Sequence, residues 1–131
     1  MSMQPEASGN SPGYQQSHRI AQPAGTPEEL RAALVMLAPD ALPTFDAERA
    51  TALEQSREQV SAAPLRRFVG QWAVYIAVER HPQRAARLRA LEARAAETDD
   101  LVEARSLASE IGGILDSACA EAGIEQGRGE L

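Results

Sequence analysis

Apolar residues recur along this chain at intervals of three and four, in five stretches set off by proline, glycine or capping residues. That period predicts helices. Thr26-Pro27-Glu28-Glu29 opens the first, with Thr26 as cap, Pro27 at the first helical position and Glu29 placed to complete a capping box. Leu30, Ala33, Leu34 and Leu37 then share one face, and Pro39 ends the helix by pushing Ala38 out of the helical region. A second helix is expected from near Pro43 to about Gln59, with a thin apolar side of Phe45, Ala52, Leu53, Ser56 and Val60.

The third helix, about Pro64 to Arg80, has the richest apolar face: Leu65, Phe68, Val69, Trp72, Tyr75 and Ile76. Val74, Ile76 and Val78 alternate as in a strand, but the spacing of three and four and the flanking charges favour a helix. Gly70 lowers helix stability by ~1 kcal/mol relative to Ala, and is expected to let a neighbouring helix approach. His81-Pro82 punctuates before a fourth helix, about Pro82 to Ala96, which shows Leu88, Leu91 and Ala95 on one side. Thr98-Asp99-Asp100 caps a fifth helix, with two acids at the favourable end of its dipole. Leu101, Ala104, Ala108, Ile111, Leu115, Ala118 and Ala122 form its apolar stripe, widened by Leu107 and Ile114, and Gly123 stops it. The expected fold class is all-α: about five helices in a small bundle.

The two ends read differently. Residues 1–25 are rich in Gln, Pro, Gly and Ser, with Ile20 their only large aliphatic residue. Such a segment buries too little apolar area to offset its ordering entropy, so a disordered tail is expected there. A helical domain is expected over 26–122 and a flexible C-terminal tail over 123–131. No run reaches the roughly 18 apolar residues that a membrane-spanning helix needs. The beginning lacks a secretory apolar core, so the expected location is cytoplasmic.

Charge adds a layout. The net charge is −6, and all thirteen basic residues are arginine. Residues 26–60 hold seven acids and three arginines, residues 61–96 two acids and seven arginines, and residues 97–131 nine acids and two arginines. One reading is intramolecular, a basic helix between acidic ones; exposed pairs of that kind contribute only ~0–1 kcal/mol each. The other is a patch for nucleic acid or an acidic partner. A helix-turn-helix formed by the third and fourth helices would place Arg80, Gln83, Arg84 and Arg87 where base edges are read. The acidic balance and the five aromatic residues disfavour nucleic acid without excluding it.

Candidate chemistry is sparse. Cys119 is the single cysteine, so neither an internal disulfide nor a cysteine zinc site is available, and a buried thiol is expected. The two histidines are His18 and His81, and His81 is placed to cap a helix C-terminus. Glu48, Glu54, Glu58 and Glu79 have no Glu-x-x-His pair, Asp99-Asp100 is explained by capping, and Gly112-Gly113 lacks a phosphate-loop context and suits a close helix crossing or a kink. No catalytic residue, metal site or cofactor is therefore expected. Trp72 reads as core or interface anchor, as do Leu101, Ile111 and Leu115.

Thr26-Pro27-Glu28-Glu29-Leu30-Arg31-Ala32-Ala33-Leu34, the stretch Phe45 to Leu53, and Ala63-Pro64-Leu65-Arg66-Arg67-Phe68-Val69-Gly70-Gln71-Trp72 together carry a resemblance. From Thr26 to about Pro82 the chain resembles a small all-helical actinobacterial family of unknown function. Its members are often encoded beside toxins of the ribosome-dependent ribonuclease type. The resemblance implies an antitoxin-like or regulatory role and no catalytic residue; the helices after Pro82 extend past the pattern. The resulting expectation is a non-enzymatic helical interaction module. It would meet a basic toxin, or another copy of itself, through the acidic second helix or the heptad-like face of the fifth. The alternative is a DNA-binding regulator using residues 80–94.

Overall fold

In the computed structural model, the described residues are 20–124, and all five expected helices are present: α1 Pro27–Leu37, α2 Leu42–Gln59, α3 Ala63–Glu79, α4 Pro82–Glu97 and α5 Leu101–Ala122. A short 3-10 turn, Pro39–Ala41, joins α1 to α2. Among the described residues there is no strand, and no helix is long and apolar enough to cross a membrane. Of the tails expected over 1–25 and 123–131, residues 1–19, with His18, and 125–131 lie outside the described residues.

Local chemistry sets the boundaries. Thr26 Oγ1 accepts from the Glu29 backbone N–H at 3.2 Å, so the cap forms. The reciprocal half of the capping box does not, because the Thr26 N–H donates to the Ala24 carbonyl at 2.9 Å. Ala38 leaves helical space at φ −154°, ψ 67°, as its position before Pro39 requires. Asp100 caps α5 by accepting from the Val102 N–H. Gly123 closes it at φ 78°, with the Ile124 N–H donating back to the Cys119 carbonyl at 2.8 Å. Val60 ends α2 in the same way at φ 49°, a conformation that disfavours a β-branched residue.

α3 is the central element and packs on α1, α2, α4 and α5. Its face of Phe68, Trp72, Ala73 and Ile76 meets Leu30, Leu34 and Phe45 in the main core. Phe45, Phe68, Trp72 and Tyr75 stack at tilted or edge angles, with centroids 5.0–5.2 Å apart. The Trp72 indole donates to Glu48 Oε1 at 2.9 Å, so its polar end is satisfied. A second cluster joins Ala77 and Val78 to Ala85 of α4 and Ala118 of α5.

Four expectations change. The segment 20–25, read as part of the tail, is held on α3: Gln22 Nε2 donates to the Ala73 carbonyl and the Arg80 guanidinium to that of Ile20. Leu53 and Val60 do not join the core; they are 37% and 91% exposed, Val60 because it sits beyond the last helical turn. On α5 the seam is carried by Leu107, and Ala108 faces out. On that register Leu101, seven residues before Ala108, also faces out and is 63% exposed. Finally, a Cβ at Gly112 or Gly113 would meet nothing within 4 Å, and α5 runs unbroken through both, so neither serves a close crossing.

Candidate functional site

The arginine block divides into two groups. At the C-terminal end of α3, Arg80 and Arg84 converge on Glu121 of α5, at 2.9 Å and 2.7 Å, and His81 Nε2 lies 3.2 Å from the same carboxylate. Arg84 also donates to the Ala77 carbonyl. Hydrogen bonding from Arg84, followed by the nearby positive charges of Arg84 and Arg80, holds the Glu121 carboxyl at about 2. This clamp ties α3, α4 and α5 together. Farther along α4, Arg87 pairs with Glu110, Arg89 with Glu79 and Arg94 with Glu103.

Of the expected surface Arg80, Gln83, Arg84 and Arg87, then, two members are turned inward. The side chains of Arg80 and Arg84 are 16% and 22% exposed and occupied by Glu121. Gln83 and Arg87 lie on the exposed side of α4. Trp72 is core, Leu101 is outward, and Ile111 and Leu115 are half-buried.

Arg66 and Arg67, at the other end of α3, were not singled out from the sequence. Both are exposed, and neither side chain makes a hydrogen bond or ion pair with any described residue. They border an open, mostly apolar groove of about 1060 Å³, whose remaining surface comes from Ala63, Gly70, Gln71 and Val74 of α3 and from Cys119 and Ile124 at the end of α5. Gly70 does not serve close helix packing: a Cβ there would meet only the Ile124 δ-methyl, at an ordinary 3.6 Å. Its missing side chain leaves the floor bare. Cys119 is buried, and burial together with Asp116 pushes its thiol pKa up, away from the reactive thiolate. A smaller cavity of about 380 Å³ lies among α3, α4 and α5, floored by Val78, Ala85, Leu88 and Leu115 and rimmed by the Glu79–Arg89 pair.

A family model described as a family of unknown function (DUF6247) matches residues 18–113. The chain belongs to that family. No curated protein and no solved structure matches it. The DUF6247 match corrects the extent of the expected resemblance, since it includes all of α4 and the first half of α5 rather than ending near Pro82. Arg66, Arg67, Gly70 and Val74 fall inside the DUF6247 segment; Glu121, Cys119 and Ile124 fall after it.

Proposed function

We propose that this chain is a non-enzymatic cytoplasmic helical module for protein–protein interaction, with an antitoxin-like or regulatory role. One observation carries the reading: the α3–α5 groove is apolar, open and bordered by Arg66 and Arg67, which no described residue engages. Open apolar surface with a polar rim is what partner proteins cover. The antitoxin-like part rests on the family resemblance.

The net charge of −6 draws in a protein that is basic overall, even where the segment it docks is acidic. At contact, the acidic α2 has Asp46 committed to Arg31, Glu54 to Arg57 and Glu48 to Trp72. The seam of α5 is occupied by α3 and α4, which makes self-association through that face a poorer candidate. The DNA-binding alternative draws on Gln83 and Arg87, since Arg80 and Arg84 point at Glu121. Affinity capture of the tagged full chain from its native cells tests the proposal. Recovery of a protein in stoichiometric amount is expected; recovery of duplex DNA alone, with no protein, would overturn it.

A further inference from the structure

Charge accounting identifies what the groove lacks. Residues 61–96 contain seven arginines, and five of them are matched within the fold: Arg80 and Arg84 by Glu121, Arg87 by Glu110, Arg89 by Glu79 and Arg94 by Glu103. The two left over, Arg66 and Arg67, are consecutive, and both border the groove. A guanidinium presents a planar fork of donors that fits a carboxylate. Cations that no described carboxylate matches, beside an apolar floor, therefore ask for an occupant that is acidic on its flank and apolar beneath.

The floor fits side chains rather than a flat contact. Gly70 leaves a gap in the α3 surface, Val74 lies one turn on, and Ile124, itself 37% exposed, forms the far wall. Gly70 and Val74 are four residues apart and lie on one face of α3. A separate depression lies before the start of α3. There Ala62 adjoins Leu53 and the strained Val60. A left-handed, 91% exposed valine stands where glycine is the usual residue, and it presents an apolar side chain to that depression.

We propose that the groove between α3 and α5 seats an acidic amphipathic helix of a protein partner, with its apolar side chains over Gly70, Val74 and Ile124 and its carboxylates on Arg66 and Arg67. This rests on the interaction-module reading and gives it a partner chemistry. Nucleic acid is the poorer occupant: the two arginines at the groove, on a chain of net charge −6, supply few phosphate contacts. A basic helix would bring like charge to both arginines.

The test titrates the full-length chain with a fluorescent acidic amphipathic peptide, Leu at helical spacing and Glu on the flanks, at low and at high salt. A Lys-for-Glu version of the peptide and a DNA duplex serve as controls. Saturable binding that weakens with salt is expected for the acidic peptide alone. R66Q/R67Q should weaken it about tenfold or more, Gly70→Leu should weaken it by filling the floor, and Arg87→Gln should leave it unchanged. Circular dichroism of each variant confirms the fold. The proposal is overturned if the acidic peptide fails to bind, or if it binds R66Q/R67Q as well as the parent chain. It is equally overturned if only the duplex binds, if a dimer forms that R66Q/R67Q dissociates, or if binding appears only once residues 125–131 are removed. The module reading is separable: if native capture recovers a protein that R66Q/R67Q still holds, that reading stands and the groove assignment falls.

Discussion

Arginines of the same charge block lie near the two ends of α3, Arg84 reaching over from α4, and are used in opposite ways. At the C-terminal end, Arg80 and Arg84 are drawn in by Glu121 and become part of the fold. At the N-terminal end, Arg66 and Arg67 stand in water beside an apolar groove with no described carboxylate to meet them. Cationic charge is spent on structure where a second helix brings an acid, and is left for recognition where none arrives. The interiors differ correspondingly. The inner face of α3 is closed by Phe45, Phe68 and Trp72, whereas the groove side is bare at Gly70.

The largest effect calibrates the closed face. Phe45→Ala removes a fully buried ring between Phe68 and Trp72 and should lower unfolding stability by ~3–5 kcal/mol in urea titrations. If the loss were below ~1 kcal/mol, the aromatic core would not be what organises α3.

Glu121→Ala attacks the clamp next. It leaves Arg80 and Arg84 partly buried without their acceptor, and ~2 kcal/mol should be lost. The same carboxylate gives the clamp a pH signature. Its folded pKa, about 2, is depressed from a reference of 4.5, so its contribution is complete above about 4.5 and fades as pH falls towards 2. Because nearly a third of the side chain is open to water, that contribution is about 1–2 kcal/mol. Unfolding monitored from pH 6 down to 2 should show a decline that Glu121→Gln flattens, while R66Q/R67Q leaves it intact.

The two smallest effects sharpen the open end, where substitutions should stabilise. Val60→Gly relieves the left-handed valine and should add ~1 kcal/mol. Gly70→Ala meets only ordinary contact with Ile124 and should add up to ~1 kcal/mol through helix propensity. A melting temperature that falls in either variant would show that the residue is required by the fold itself.

The helices were legible because their signals are local. Thr26 and Asp100 as caps, Pro39 as a stop and Gly123 as a left-handed terminus all act within four residues of themselves. The face of Phe68, Trp72 and Ile76 likewise follows from α3 alone. The site was not legible for the converse reason. Neither Arg66 and Arg67 nor Arg80 and Arg84 have an acid three or four residues away on their own helix, so local spacing does not separate them. Their fates differ because Glu121, 41 residues after Arg80 and 37 after Arg84, is carried back to them by the α4–α5 hairpin. That Leu107 is buried while Leu101 and Ala108 face out was hidden in the same way. A continuous stripe of Ala and Leu fits several registers, and packing on α3 selects one.

The central claim is that one arginine pair belongs to the fold and the other to a partner. Urea unfolding of two double variants, R80Q/R84Q and R66Q/R67Q, measures it most directly. The account predicts a loss of about 3 kcal/mol for the first and a change within ~0.5 kcal/mol for the second, as for unengaged surface residues. Equal losses from the two pairs would contradict it.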